Sequence, residues 1–179
     1  MELLDLVKIF WFFLPAGAAN MSPVIFKFVN FLNYPVDFNK KLNSKPIFGE
    51  NKTYRGLFFG IVSSILFVFL QTIIYPETKF ISLINYSSIN FLAFGFFLGF
   101  GALFGDLIKS FLKRQFNIPP GKPWVPFDQI DWILGAIMFI YFYVPISLKE
   151  ITAAIIIFGI LHPAVNFIGY LLKIKENKF

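Results

Sequence analysis

The sequence predicts an all-α integral membrane protein with five transmembrane helices, and three observations support this. Of the 179 residues, 57% are hydrophobic and only 15% are charged, whereas a soluble domain has about 25% charged residues. Five stretches without Asp, Glu, Lys or Arg are long enough to cross a bilayer as helices. The basic residues lie almost entirely on alternate connections between these stretches. This composition excludes a soluble domain, a disordered chain and a nucleic-acid-binding module, despite the net charge of +6.

The predicted spans form one transmembrane domain, residues 1–179. The first span contains Pro15, Gly17 and Asn20, so we expect a kinked or broken helix there. The fourth is the shortest, and aromatic residues typical of the membrane interface support it. The five spans cover about residues 9–26, 56–76, 84–105, 131–148 and 151–172.

The distribution of basic residues predicts the orientation in the membrane. Of the 16 Lys and Arg residues, all but Lys8, Lys79 and Lys149 lie in the two long loops or the C-terminal tail. Because loops rich in Lys and Arg stay in the cytoplasm, we expect the N-terminus outside and the C-terminus inside. The sequence thus predicts a multi-pass protein of the cell membrane with cytoplasmic loops 27–55 and 106–130. These loops hold most of the polar residues, so any active site should lie on this face.

Several kinds of site are excluded or disfavoured. The chain has no Cys and one His, which excludes disulfides, thiolate metal sites and His-based zinc sites. We expect His162, in the fifth span, to be neutral and bonded to a helix carbonyl oxygen, with a functional role as the less favoured alternative. The glycine pairs of the third span, Gly95 with Gly99 and Gly101 with Gly105, are typical of close helix packing. A glycine-rich approach to a phosphate is the less favoured interpretation.

The first candidate segment follows the third span. If the helix continues, Asp106, Lys109, Ser110 and Lys113 recur at i, i+3, i+4 and i+7 and share one face. Arg114 adds a guanidinium group suited to bidentate contact with a phosphate. Taken alone, the segment is better explained as an amphipathic helix end with lysines that set the topology.

The second candidate segment is a proline-rich loop that includes Pro120, Gly121 and Lys122 and should be non-helical. The fourth helix then begins with Asp128 and Asp131, which could simply cap the helix. Together with Asp106, however, they would form an all-oxygen site, which suits magnesium better than zinc.

The third candidate segment, just before the second span, contains Asn51, Lys52, Thr53 and Arg55. These residues could be helix-capping and topogenic, or they could bind an anionic headgroup or a nucleotide phosphate. The pattern of a P-loop is absent.

Together, the three segments place basic phosphate binders and three acids on one membrane face. This combination favours metal-assisted phosphoryl or nucleotidyl transfer to a lipid phosphate. The alternative from another class is a small membrane transporter or assembly subunit. Such a protein should carry polar residues at mid-membrane depth or inverted repeats.

The order of these motifs resembles a known family. Gly105-Asp106, Ser110, Lys113-Arg114, Pro120-Gly121 and Asp128-x-x-Asp131 are similar to the signature of membrane CDP-diglyceride synthases. The element at residues 51–56 and the Pro-Pro-Gly loop resemble their small archaeal relatives, the CDP-archaeol synthases, which also have five spans. The resemblance covers about residues 15–172.

The resemblance implies a cytidylyltransferase that converts CTP and an isoprenoid ether lipid phosphate, 2,3-bis-geranylgeranyl-glycerol 1-phosphate, to a CDP-lipid and pyrophosphate in the membrane. Mg²⁺ is the implied cofactor. The implied metal ligands are Asp106, Asp128 and Asp131, which with Lys113 and Arg114 are the implied catalytic residues. The implied substrate-binding residues are Asn51, Lys52, Thr53, Arg55, Lys109, Ser110, Pro120, Gly121 and Lys122.

Two departures favour the archaeal family. The closing motif is Asp-Gln-Ile-Asp, where the longer bacterial enzymes have Arg after the first Asp, and their additional N-terminal spans are not present. A phosphatidate cytidylyltransferase-like enzyme acting on another lipid phosphate remains the alternative. A CDP-alcohol phosphotransferase is disfavoured because its D-G-x-x-A-R signature is missing. The sequence leaves a homo-oligomer open, and we expect loop 33–50 to be mobile and to close over the nucleotide.

Overall fold

The chain folds as a bundle of helices, as predicted. The computed structural model describes residues 1–171. Within these residues, two strands of two residues each, β1 (Lys41–Leu42) and β2 (Lys45–Pro46), form a short hairpin. The α-helices of this part of the chain are α1 (Leu3–Ile25), α2 (Tyr54–Thr78), α3 (Phe91–Gln115), α4 (Phe127–Ile140) and α5 (Leu148–Leu171).

Among the described residues, four helices are long and apolar enough to span a membrane, namely α1, α2, α3 and α5. The chain is therefore a multi-pass membrane protein. Helix α4 has only 14 residues and is about 21 Å long, less than the roughly 30 Å of a hydrocarbon core. The predicted span 131–148 is thus helical only to Ile140, and a turn follows. Pro145 offers a reason, because it disfavours helical geometry at Val144.

Helix α1 is central to the bundle. It packs against each of the other four helices, and its buried residues Ile9, Phe12, Phe13, Ala16 and Ala19 recur at helical spacing. Of the two predicted alternatives for this span, the break is wrong, because the helix continues through both of its prolines, and the kink stays a prediction. Prolines are tolerated within membrane helices where neighbouring helices and side chains satisfy the freed backbone groups.

Helix α3 is shifted along the chain relative to the predicted span 84–105. It begins at Phe91, where the Asn90 side chain accepts hydrogen bonds from the backbone N–H groups of Leu92 and Ala93 at 3.0 and 3.1 Å. It then continues to Gln115, well beyond the end of the apolar run. The helix therefore carries the polar segment that begins at Asp106.

The glycines of α3 serve helix packing, as predicted. Gly95 and Gly99 face α2, where added Cβ atoms would lie 2.6 Å from Ile65 Cα and 2.7 Å from Ser64 Cβ. Gly101 and Gly105 face α4, where they meet Gly135 and the backbone of Asp131. Small residues allow the backbones of two membrane helices to approach each other closely. The α3–α4 contact is what brings the polar residues of the two helices together.

We expect Gly101→Ala to destabilise the protein by about 1–3 kcal/mol, since overpacking displaces backbone. Its Cβ would lie 2.7 Å from the Gly135 carbonyl oxygen and 3.0 Å from Ala136 Cα. Thermal unfolding in detergent measures the effect. Gly17→Ala is the matched control, because its Cβ would meet only the Trp132 ring at 3.8 Å. Equal unfolding temperatures for the two variants would contradict the described packing of α3 on α4.

The loops at residues 26–53 and 116–126 meet at one end of the bundle, which we call the loop end. Lys45 Nζ donates a hydrogen bond to the Gln115 carbonyl oxygen at 2.6 Å, and the rings of Phe48 and Phe111 lie 6.5 Å apart. The first predicted loop therefore folds against the end of α3. The last residue of the predicted fifth span, at position 172, and the basic residues of the tail lie outside the described residues.

Candidate active site

Three carboxylates from two helices converge on one lysine at the loop end. Lys109 Nζ lies 3.1 Å from Asp106 Oδ1, one turn earlier on α3. It also lies 3.2 Å from Asp128 Oδ1 and 3.0 Å from Asp131 Oδ2, both on α4. Because all three oxygens lie within 3.2 Å of the same nitrogen, any two of them are separated by at most twice that distance. The predicted grouping of the three acids is therefore present in the structure.

Two further lysines complete this cluster. Lys52, which precedes α2, forms an ion pair with Asp106 Oδ2. Lys113 Nζ lies 3.0 Å from both oxygens of Asp128 and donates to the carbonyl oxygen of Lys122 at 2.6 Å. We call Lys52, Lys109, Lys113, Asp106, Asp128 and Asp131 the Lys–Asp network.

The Lys–Asp network is largely withdrawn from solvent. The side chain of Asp131 is 6% exposed and that of Lys109 is 15% exposed. Taking charges out of water costs several kcal/mol per ion, and mutual attraction offsets this only with good geometry. A buried network of this size is weak support for stability, and in a membrane protein it is a candidate functional site.

The network lines a polar cavity of about 640 Å³ at the loop end. This volume lies in the range of about 300–1,000 Å³ that small-molecule sites occupy. Cationic side chains from the α2 entry, from α3 and from the proline-rich loop converge on it. The lining residues are Asn20, Pro23, Val24, Lys27, Asn33, Glu50, Asn51, Lys52, Thr53, Arg55, Asp106, Lys109, Lys113, Gly121, Lys122, Pro123, Asp128, Asp131, His162 and Asn166.

The arrangement suits chemistry on phosphates. Lysines and an arginine around a cavity can bind the oxygens of a nucleotide phosphate, and adjacent carboxylates offer oxygen ligands of the kind Mg²⁺ takes. Among the described residues, no group of three or more His, Cys, Asp and Glu side chains has the geometry of a metal site. The ammonium of Lys109 lies among the three carboxylates at about 3 Å, whereas Mg²⁺ binds oxygen at about 2.1 Å. The donor chemistry fits magnesium, but the carboxylates would have to close in as Lys109 moves away.

Comparison with known proteins identifies the family. The family model for the CarS-like CDP-archaeol synthases matches residues 1–179. A CDP-archaeol synthase of Pyrococcus furiosus is 37% identical over 172 residues, which are 96% of each chain. One from Methanococcus maripaludis is 38% identical over 97% of each chain. The chain belongs to the CDP-archaeol synthase family.

A solved structure extends the likeness to the fold. It is described as an intramembrane enzyme for the biosynthesis of archaeal membrane lipids, and it is 28% identical with a TM-score of 0.69. The match covers 88% of this chain and 91% of that one. The likeness to an intramembrane enzyme and the four apolar helices of this chain agree that the polar site belongs to a multi-pass membrane protein.

Most of the residues predicted for the site line the polar cavity of this family member. Three do not. Ser110 is buried on α3, with 5% of its surface exposed. Pro120 precedes the part of the proline-rich loop that reaches the cavity. Arg114 lies beside the first loop, where its Cδ would be 3.9 Å from a Cβ at Gly49. The structure therefore does not place these three with the others, and their roles stay predictions.

Some lining residues were not predicted as site residues. Asn20, His162 and Asn166 come from the apolar spans, and their polarity within a membrane helix was the available signal. The Asn166 amide nitrogen lies 3.4 Å from His162 Nδ1, a contact between two side chains of α5, and the expected bond of His162 to a helix carbonyl stays a prediction. Lys27, Asn33 and Glu50 are loop residues that carried no distinguishing pattern.

The first loop has hydrogen-bonded structure of its own. The Asp37 carboxylate accepts hydrogen bonds from the backbone N–H groups of Phe48, Gly49 and Asn39 at 2.8, 3.1 and 3.0 Å. Burial opposes ionisation of Asp37, but these three donors outweigh it and hold its pKa below the ordinary value. Asp37 therefore ties both ends of the β1–β2 hairpin together. Whether the loop moves over a nucleotide stays a prediction.

We expect Asp37→Asn to loosen this loop by roughly 1–3 kcal/mol, since an amide cannot accept all three bonds. Limited proteolysis at neutral pH should cut the variant faster between β2 and α2. Folding lowers the pKa of Asp37, so the ionised carboxylate stabilises the folded loop fully above pH 3.8. This stabilisation is lost as the pH falls through the lowered pKa. Pepsin should therefore cut the wild-type loop more readily at a pH below the lowered pKa of Asp37 than at a pH above it. Glu77→Gln, at an exposed position far along α2, is the control, and cleavage equal to that of Asp37→Asn would contradict this role.

Proposed function

We propose that this chain makes CDP-archaeol by transferring CMP from CTP to 2,3-bis-geranylgeranyl-glycerol 1-phosphate, with release of pyrophosphate. The observation that carries the proposal is the convergence of three carboxylates and three lysines on one polar cavity. Membership of the CDP-archaeol synthase family supports the same reaction.

The reaction needs positioning more than proton transfer. An oxygen of the lipid phosphate attacks the α-phosphorus of CTP, a new P–O bond forms, and the bond to the β-phosphate breaks as pyrophosphate leaves. Both the attacking and leaving groups are anionic. The protein must therefore hold several negative charges close together and in line.

The positions of the network's lysines support this role for them. Lys109 and Lys113 project from adjacent turns of α3 into the cavity, and Lys52 reaches it from the α2 entry. In the absence of substrate these lysines pair with carboxylates. On substrate binding, the lysine ammonium groups would pair with phosphate oxygens instead. Arg55 adds a cation at the same wall, where its Nη1 donates to the Val29 carbonyl oxygen at 3.1 Å.

The carboxylates supply the opposite charge. Asp106, Asp128 and Asp131 are the residues that would hold Mg²⁺ once their lysine partners turn to phosphate. Charge on the leaving pyrophosphate would be neutralised by the bound ion. In this account the network exchanges partners on substrate binding, and each of its charges is compensated before and after.

The proposed location is the cell membrane, with the loop end in the cytoplasm, where CTP is available. The surplus of basic residues on the predicted loops 27–55 and 106–130 supports this orientation. The N-terminus would then lie outside.

The test is to incubate the purified protein with CTP, Mg²⁺ and the archaeal lipid phosphate, and to measure CDP-lipid and pyrophosphate. We expect both products in equal amounts, and a marked loss when Mg²⁺ is chelated. Phosphatidate in place of the archaeal lipid tests the alternative lipid, and a faster reaction with it would overturn the proposed substrate. Absence of any CDP-lipid, together with counter-flow of a solute across vesicles, would favour a transporter.

A further inference from the structure

An aromatic and cationic surface lies beside the start of α2, on the first loop. Although this loop lies outside the helices, the rings of Phe28, Tyr34 and Phe38 are 84%, 64% and 63% exposed. Two lysines close to them in sequence are exposed as well. We call this set the first-loop surface, and it consists of Phe28, Phe31, Tyr34, Phe38, Lys40 and Lys41.

The first-loop surface lies at the depth of the lipid headgroups. The membrane-spanning stretch Tyr54–Ile81 has 28 residues and is therefore roughly 42 Å long. A bilayer is about 40–45 Å thick with its headgroups, of which the hydrocarbon core is about 30 Å, so the first turns of α2 lie among the headgroups. The ring centroids of Phe31 and Phe58 are 5.5 Å apart. Those of Phe38 and Tyr54 are also 5.5 Å apart, which places the surface at the same level.

Hydrogen bonds to the start of α2 hold the loop at this depth. The Tyr54 N–H donates to the Tyr34 carbonyl oxygen at 3.0 Å, and the Arg55 N–H donates to the Leu32 carbonyl oxygen at 2.8 Å. Arg55 Nη1 also donates to the Val29 carbonyl oxygen at 3.1 Å. The segment cannot leave the headgroup region without breaking these bonds.

The exposed charge of this part of the loop is positive. Residues 26–42 contain three lysines and a single acid, Asp37, which is buried and accepts hydrogen bonds from three backbone N–H groups. Aromatic rings are favoured at the membrane interface. Each lysine close to an anionic membrane favours the bound state by about fivefold. A soluble acidic protein would match the charge, but at headgroup depth the neighbours of the surface are lipids.

We propose that the first-loop surface binds the anionic headgroups of the surrounding bilayer, with its rings at the interface and Lys40 and Lys41 paired with lipid phosphates. The occupant is bulk lipid rather than substrate, so the inference does not depend on the proposed reaction. The same loop supplies Asn51 and Lys52 to the polar cavity. Binding of the loop to the bilayer therefore fixes one wall of the cavity relative to the membrane.

A single spin label can test this proposal, because the chain has no cysteine. The label is attached at Phe38→Cys, where it replaces one ring and leaves both lysines in place. The protein is reconstituted in vesicles of phosphatidylcholine, with or without phosphatidylglycerol. The collision rate of the label with a neutral, water-soluble nickel chelate then measures its exposure to water. Phe142→Cys is the matched control, since Phe142 is 87% exposed in the turn after α4, away from the loop end.

We expect the collision rate at position 38 to be about fivefold lower, or less, in vesicles that contain phosphatidylglycerol. Replacing both lysines, by Lys40→Gln with Lys41→Gln, should remove most of this difference. High salt should act in the same way, because it screens exposed charges. The label at position 142 should collide at the same rate in both kinds of vesicle.

Three outcomes would overturn the inference. Equal collision rates at position 38 in the two kinds of vesicle would show that the surface does not bind anionic lipid. A difference that persists in the double lysine variant would remove Lys40 and Lys41 from the contact. A collision rate that falls with the density of protein in the vesicles, whatever the lipid, would assign the surface to a second copy of the chain.

Discussion

Asp131→Asn is expected to reduce CDP-lipid formation by about 10²-fold or more, a loss typical of removing a group that stabilises charge in a transition state. Asn has nearly the same shape, so the cavity and the α3–α4 contact should persist. What disappears is the charge that lies 3.0 Å from Lys109 Nζ, on a side chain only 6% exposed. The same reasoning applies to Asp128→Asn, which contacts both Lys109 and Lys113.

Turnover by the purified variants and their amount in the membrane fraction measure this effect. Both variants should insert into the membrane as the wild-type protein does. Glu77→Gln, at an exposed position far from the loop end, should keep full activity. Preserved turnover in either aspartate variant would remove that residue from the proposed Mg²⁺ site.

Lys109→Met is expected to impair both activity and stability. Met has a similar length but no charge, so three carboxylates would lose the ammonium group that they share. Removing one partner from a buried ion pair costs about 3–5 kcal/mol, because the remaining charge stays unpaired. Turnover should fall as well, since the proposed phosphate ligand is gone.

The double variant Lys109→Met with Asp131→Asn separates the two effects. It removes one of the unpaired carboxylates, so its unfolding temperature should rise above that of Lys109→Met while its turnover stays low. Lys149→Met, on an exposed residue at the start of α5, is the control for loss of a lysine. An unfolding temperature of Lys109→Met equal to that of the control would contradict the described network.

The spacing of charges along the chain predicted the centre of the site. Asp106, Lys109 and Lys113 share a face because residues three and four apart are neighbours on a helix, and the structure confirms that α3 continues through them. The two acids at the start of α4 could be read as helix caps, and Asp128 also accepts a hydrogen bond from the Trp124 backbone N–H. Among the described residues, the structure shows no side-chain cap on α4 but several ion pairs to these acids, a distinction that the sequence alone could not make.

Other features depended on tertiary contacts that spacing does not reveal. Arg114 follows Lys113 in sequence but lies on another face of α3, beside the first loop. The contact of Gly101 and Gly105 with α4 sets the position of Asp131 relative to Lys109. The sequence did not predict that α4 ends at Ile140. A run of apolar residues indicates that a segment is buried, but it does not show that the whole segment is helical. Asn20, His162 and Asn166 join the cavity because α1 and α5 bring them to it.

The most direct test of the central claim, transfer of CMP at the Lys–Asp network, follows the phosphorus atoms of CTP. Purified protein is given the archaeal lipid phosphate with CTP labelled at either the α- or the γ-phosphorus. The account predicts that the α-label enters the lipid fraction while the γ-label leaves as pyrophosphate, and that Asp131→Asn slows both processes by about 10²-fold or more. A γ-label in the lipid, or an α-label that enters it equally well in Asp131→Asn, would contradict the account.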